Sequence, residues 1–261
     1  MVSGAHASPL IYNGAMLRLL VVSLVSLIGV FPYLGLGGCG EDVVSSTPLR
    51  VAVASNFGAA ATQIADEFER QSGVRVDIST ASTGVLAAQF QAGAPFDVLL
   101  AADKARPSAL EKAGLTHGPA VCYAQGALVL LGAETFDELR SVPNVRIAIA
   151  NPRSAPYGAA ALAALRHLTD RDLNGQLSLG TNVLQALQFF QSGAVDYALV
   201  ARALSPREGL PIPQDWHAPI EQYAVVNAHT ANLDRAQAFV DHLRSAGVQA
   251  KLANLGYDAC S

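Results

Sequence analysis

Charge is what this sequence has least of. Lys, Arg, Asp and Glu together make up 15 % of its 261 residues, against roughly 25 % in an average soluble domain. The balance is slightly acidic, 17 basic against 21 acidic residues, so there is no electrostatic footprint for nucleic acid, which needs a clustered basic face. Three cysteines are too few for a disulfide-dense scaffold. A chain of this length buries a core without such staples. Catalytic signatures are missing too: G-x-S-x-G, G-x-x-x-x-G-K-[ST] and H-E-x-x-H do not occur, and G-x-G-x-x-G does not occur after residue 40. The six histidines show no metal-ligand spacing, so no direct metal site is expected. Asp97 and Asp103 flank one apolar run, where turn or cap duties explain them more cheaply than acid–base work. Hydrophobic residues, by contrast, reach 51 %. That excludes a disordered chain and points to a membrane-directed segment.

The apolar excess begins at the N-terminus. Met16-Leu17-Arg18 leads into an apolar run over residues 19–31, broken only by Ser23, Ser26 and Gly29. One positive charge, a short apolar core and small residues after it make a secretory signal rather than a spanning helix. Its end, Leu36-Gly37-Gly38-Cys39, resembles a bacterial lipobox, with Cys39 as the lipidated first residue of the mature chain and Gly37 a less usual residue in that pattern. The alternative is an uncleaved anchor, which also puts the remainder outside the cytoplasm. Residues 1–15 read as an upstream extension of the 1–39 signal, and 40–47 as a polar linker.

From residue 48 onward short apolar runs alternate with helical patterns. Residues 49–54 read as a buried parallel strand, followed by Ser55-Asn56, both good N-cap types. A helix comes next, with Phe57, Ala61, Ile64 and Phe68 on one face and Gly73 as its stop. Strands are expected at 74–80 and 97–102, with a short helix at 84–91. A second set places strands at 128–131, 146–150 and 196–200, and helices at 157–168 and 183–191. After a proline-broken stretch (Pro206, Pro211, Pro213, Pro219), 223–227 reads as a strand, and 232–245 and 248–254 as helices. The β-α-β order implies α/β lobes with mostly parallel sheets. Two units of similar build, with a terminal segment that returns to the first, suggest two lobes facing across a cleft. Ligands of such folds sit at the carboxyl ends of the strands, where helix N-termini point.

Four strand-to-helix loops share one chemistry: 54–57, 80–84, 151–158 and 180–183. Each supplies helix-terminal N–H groups, several with a hydroxyl or amide alongside, and such ends favour an anion. One of them alone is just a capped helix. Four in a two-lobed chain point to an anion cleft.

These loops carry a resemblance. With Val51-Ala52-Val53-Ala54-Ser55-Asn56-Phe57, Ser82-Thr83-Gly84, Gln91-Ala92-Gly93-Ala94-Pro95-Phe96-Asp97, Ala101-Ala102-Asp103-Lys104, Asn151-Pro152, Ala155-Pro156-Tyr157-Gly158 and Gln191-Ser192-Gly193-Ala194-Val195-Asp196, the chain resembles the periplasmic molybdate-binding proteins of ABC transporters over about residues 48–258. The resemblance implies a two-lobed, type II periplasmic binding protein fold, each lobe a mixed, mostly parallel sheet flanked by helices. It places lobe 1 at 48–125 and 224–261, and lobe 2 at 126–223. The function implied is capture of molybdate, and of tungstate with it, for delivery to an ABC permease in the inner membrane. The protein would be a periplasmic monomer attached to a membrane by its lipid anchor only. The oxyanion contacts carry over to Ser55, Asn56, Thr83, Tyr157 and Val183, with Ser82 as a secondary candidate and backbone N–H groups serving at Tyr157 and Val183. Some members use a tyrosine hydroxyl where this chain has Ala201, and Asn56 is expected to supply the compensating donor. Tyr197 is read as packing.

The residue chemistry agrees with that resemblance. A fully deprotonated tetrahedral dianion offers only acceptors, so its site should offer only donors. No acid sits in the four loops to accept the proton of hydrogen phosphate, and Arg153 is their only arginine, where a carboxylate receptor would profit from an Arg clamp. No cofactor and no catalysis are expected. A receptor for sulfate or another oxyanion is the near alternative, and an enzyme acting on a small anionic metabolite the remoter one. Cys122 and Cys260 are candidates for a bridge in an oxidising compartment. In the family the chain leaves lobe 1 near the first of them, and the C-terminal segment packs on that lobe. Two free, buried thiols are the alternative.

Overall fold

The computed structural model describes residues 47–173 and 175–260. The expected signal 1–39, with Cys39, and all but the last residue of the expected linker lie outside the described residues. Runs of Val, Ala and Leu too continuous to alternate form strands buried on both faces, and they come in two sets. The first is β1 (Leu49–Ala54), α1 (Gly58–Ser72), β2 (Val76–Ala81), α2 (Thr83–Gln91), β3 (Val98–Ala101), α3 (Ala105–Lys112) and β4 (Val121–Gly126). The second is β5 (Leu128–Leu131), α4 (Phe136–Ser141), β6 (Ile147–Ala150), α5 (Pro156–Leu168), β7 (Leu177–Gly180), α6 (Val183–Gln191), β8 (Tyr197–Ala201) and the short β9 (Leu210–Pro211). The chain then returns through β10 (Ile220–Val226) to α7 (Leu233–Leu243) and α8 (Ala246–Asn254).

The strands make two five-stranded sheets, ordered β2-β1-β3-β10-β4 and β7-β6-β8-β5-β9. In each, the first three strands of the order are parallel and the remaining two pair antiparallel. Helices cover both faces of the first sheet. Leu49, Val51 and Val53 of β1 pack with α1 and α7, where Phe68 meets Phe239 edge-on at 5.3 Å. Ala52 packs on the opposite face with Leu86 and Phe90 of α2 and Leu110 of α3. The second sheet is buried in one cluster with α5 and α6.

The lobes repeat one local device. After α2 the chain reads Gln91-Ala92-Gly93-Ala94 and reaches Asp97; after α6 it reads Gln191-Ser192-Gly193-Ala194 and reaches Asp196. Gly93 and Gly193 have φ of 82° and 72°, left-handed turns that favour glycine. Each aspartate then accepts the backbone N–H of the residue entering the sheet's central parallel strand: Arg50 to Asp97 at 2.7 Å, and Arg146 to Asp196 at 2.9 Å. Asp97 goes further. It also accepts from Thr230 Oγ1 and from Asn232 Nδ2 at 3.3 Å, tying the segment before α7 into the first lobe.

Three local expectations are corrected. Ser55 and Asn56 do not cap α1: Phe57 holds the N-cap position, with no side-chain capping bond, and the helix starts at Gly58. The first sheet takes the returning chain from Ile220, not 224, because β10 pairs with β4 from its first residue. Helices α3 and α4 and strands β4, β7 and β9 are additional to the elements expected. Cys122 of β4 is bridged to Cys260, with Cα atoms 6.2 Å apart.

The two aspartates should differ in weight. Asp97 is 7 % exposed and serves three donors, so Asp97→Ala should cost about 2–4 kcal/mol by removing three hydrogen bonds to a carboxylate at part-buried donors. Asp196, with its side chain 45 % exposed, should cost under about 1.5 kcal/mol on replacement. Urea denaturation of the two variants checks the order.

Candidate functional site

Strands β1, β2, β6 and β7 end on one side of their sheets, and the chain turns at once into a helix after each. The N-termini of α1, α2, α5 and α6 thereby converge, two from each lobe, on a small cavity of ≈ 10 Å³. Its walls are Ala54, Ser55, Asn56, Ser82, Thr83 and Ala102 from the first lobe, and Ala155, Pro156, Tyr157 and Val183 from the second. All six sequence-derived candidates are therefore brought together. Ala201 lies in the second lobe's core and is not in this wall. Arg153 is exposed and is not in it either. Among the described residues no cluster of three or more His, Cys, Asp or Glu side chains could hold a metal ion.

The hydrogen bonds around the cavity leave donors free. Thr83, 1 % exposed, accepts the Ala102 N–H on Oγ1 at 3.0 Å, so its own proton is left to point elsewhere. Ser82 is the N-cap of α2 but makes no capping bond, and its buried Oγ has no hydrogen-bond partner among the described residues. The Ser55 hydroxyl makes no hydrogen bond to a described residue either, while its N–H is anchored to Ala81 O at 3.0 Å. In the second lobe, α6 caps itself. Asn182 Oδ1 accepts from Gln185 N at 3.0 Å, and Gln185 Oε1 accepts from Thr181 N at 2.6 Å, a reciprocal box that leaves the Val183 N–H unbonded. Pro156 opens α5, so the Tyr157 N–H, the next along, likewise has no partner among the described residues.

Asn56 departs from the expectation of an amide donor. Its Nδ2 donates to Gln222 Oε1 at 3.0 Å and to Tyr257 Oη at 3.3 Å, so both amide protons are spent inside the protein. What Asn56 retains is a backbone N–H without a protein partner. The phenols near the site are neutral: burial pushes Tyr123, Tyr157 and Tyr257 well up from the ordinary tyrosine value.

The two lobes touch directly beside the cavity. Gly84 N donates to Ser154 O at 2.8 Å, and Arg106, held by Asp103, donates to Arg153 O at 3.2 Å. A Cβ on Gly84 would stand 2.8 Å from Ser154 O and 3.0 Å from its Cα, so only glycine permits this approach.

Comparison with known proteins places this geometry. The description "bacterial extracellular solute-binding protein" fits residues 49–258. The molybdate-binding protein ModA of Azotobacter vinelandii is 36 % identical over 238 residues, 85 % of this chain and 93 % of its own. The chain belongs to the family of bacterial extracellular solute-binding proteins. ModA of Rhodobacter capsulatus is 34 % identical over 217 residues, 79 % of this chain and 86 % of its own. The solved periplasmic molybdate-binding protein of A. vinelandii superposes with a TM-score of 0.77 at 32 % identity, covering 82 % of this chain and all of that one. The two-lobed fold of the family is the one described above.

Gln222 and Tyr257, which shape the site of this solute-binding protein, gave no local sign in the sequence and reach it only through tertiary contacts. Ala102 and Ser154 lie in stretches read above, but their bonds to Thr83 and Gly84 were not legible there. Ala102 acts through a main-chain group, and Tyr257 lies 201 residues from Asn56.

Gly84→Ala tests whether the lobes must meet this closely. The added methyl should cost about 1–3 kcal/mol of closure without unfolding either lobe. X-ray scattering should show a more open particle in the presence of ligand, and ligand affinity should fall about 5- to 150-fold.

Proposed function

We propose that this chain is a periplasmic receptor that captures molybdate, and tungstate with it, and hands the ion to an ABC permease in the inner membrane. The observation that carries this is the donor set. The hydroxyls of Thr83, Ser82 and Ser55 and the N–H groups of Asn56, Tyr157 and Val183, unbonded among the described residues, line one small cavity at four helix N-termini. Each helix end adds the equivalent of about half a positive charge. A fully deprotonated tetrahedral dianion offers nothing but acceptors, and this wall offers donors without a carboxylate to repel it. The names of the relatives point the same way.

On this reading the protein is a receptor and not an enzyme. The cavity wall carries no nucleophile with an activating base, and its one phenol is held neutral by burial. No cofactor takes part. Lipidation of Cys39 would hold the monomer at a membrane, next to the permease.

Titration calorimetry of the mature domain with molybdate, tungstate, sulfate and phosphate decides between the oxyanions. Tight binding of the first two alone is the expected result, and preference for sulfate or silence with all four overturns it. Thr83→Ala should weaken molybdate by about 1.5–3 kcal/mol, the worth of a hydrogen bond to a charged group. That is roughly a ten- to 150-fold rise in Kd. Affinity should also stay flat from about pH 6 to pH 9, because no group in the wall titrates there. A binding step in that window would mean that a charged group outside the wall takes part.

A further inference from the structure

Asn56 lines the cavity with a backbone N–H that has no hydrogen-bond partner among the described residues, in a turn closed locally by Phe57 N donating to Ala54 O at 2.8 Å, and distant groups grip the residue as well. Its carbonyl accepts from Tyr257 Oη at 2.8 Å, and its amide donates to the same phenol oxygen at 3.3 Å and to Gln222 at 3.0 Å. Tyr257 therefore grips main chain and side chain of one cavity residue at once. The phenol is 2 % exposed and lies edge-on to Phe57, ring centroids 5.2 Å apart. Gln222, fully buried, is itself pinned by donating to Ile220 O at 3.0 Å, and β10 shifts register between Gln222 and Tyr223.

Tyr257 in turn is seated by a short C-terminal tail that is fastened at several points. Its N–H donates to Leu252 O at 3.0 Å. Gly256 O accepts from Arg202 Nε at 2.9 Å, and Asp258 takes the same guanidinium at 3.0 Å. Asp258 and Gln125 exchange both backbone hydrogen bonds at 2.8 Å. Two residues on, Cys260 is bridged to Cys122 of β4. Arg202 follows β8 of the second lobe, so the tail that carries Tyr257 is tied to both lobes.

We propose that Tyr257 is a positioning residue of the anion cavity, holding Asn56 by its carbonyl and its side-chain amide in the conformation that leaves its N–H at the cavity, and that the Cys122–Cys260 bridge acts on ligand affinity by seating Tyr257. This rests on the oxyanion reading of the cavity, with Asn56 as one of its donors. Oxidation of the two thiols then does more than stabilise the fold, because it completes a distant support of the site.

Tyr257→Phe keeps the ring and its packing on Phe57 and removes only the hydroxyl. Molybdate affinity, measured by calorimetry at 25 °C on protein whose apo Tm remains well above that temperature, should fall about five- to thirtyfold, the worth of two ordinary hydrogen bonds. A purely structural role would lower Tm and leave affinity of the folded protein unchanged. Tyr123→Phe is the control, since that buried phenol has no hydrogen-bond partner among the described residues; it should bind as the native chain does. Replacing both Cys122 and Cys260 by Ser should also weaken binding, and adding Tyr257→Phe to that variant should cost no more than a further twofold. Affinity of Tyr257→Phe within twofold of native overturns the positioning role, and fully additive losses overturn the route from the bridge through Tyr257. Should Tyr257→Phe not fold, native affinity in the disulfide-free variant overturns the proposal by itself. If the native chain binds molybdate, a failed variant test counts against the positioning alone; if it binds none of the four oxyanions, the reading of the cavity falls and this inference with it.

Discussion

An anion taken out of water between two protein lobes has to find a donor for its oxygens, because a buried charge left without partners costs several kcal/mol or more. Arginine and lysine are the obvious answer, and this cavity does without them. It uses helix ends instead, whose first N–H groups are unpaired by construction. The remaining hydrogen-bond choices follow from that constraint. Thr83 gives its lone pair to Ala102, Asn182 Oδ1 accepts from Gln185 N and Gln185 Oε1 from Thr181 N, and Asn56 donates both amide protons inward. For Thr83, Asn182 and Gln185 an acceptor is occupied elsewhere and a donor is left over; for Asn56 the side-chain donors are spent and the backbone N–H remains.

Two copies of one architecture bring those donors together. The sheets share an order, and each aligns its central parallel strand with an aspartate that accepts one main-chain N–H. The copies are not equal. Asp97 also gathers Thr230 and Asn232, which lie after β10 has returned to the first lobe, so the first lobe holds both ends of the described chain. The second is an insertion between β4 and β10. Such an insertion can swing as a body about its two connections, and the contacts Gly84–Ser154 and Arg106–Arg153 mark where it meets its neighbour.

The C-terminal tail shows how far the support of a small cavity can extend. A tyrosine at the end of the chain, an arginine from the second lobe and a disulfide to β4 act on a peptide that follows the first strand. The chain is covalently closed there over a sequence separation of 138 residues. In a loop-entropy picture that restricts the unfolded state by about 5 kcal/mol.

Much of the first strand-to-cleft layout was legible in the sequence because it is periodic and local. The 49–54 run, the face of α1 and its stop at Gly73 depend on burial and on one left-handed residue, and they were found where expected. So were the four loops, since a strand end followed by small polar residues and a helix has a local signature. Strand β4 was not legible. Its Cys-Tyr-Ala-Gln-Gly run has no clear alternation, and β10 makes it a strand by pairing with it. The capping of α1 differs from expectation for a related reason: Asn is a good cap in isolation, but contacts from Gln222 and Tyr257 take the Asn56 side chain. By itself, then, the sequence determined the elements, the loops and the neutral chemistry of their side chains, all set by short-range periodicity and residue type. Which hydroxyls remain free, which way Asn56 faces and how closely Gly84 meets Ser154 were decided by the tertiary structure alone, because each depends on a partner brought from far along the chain.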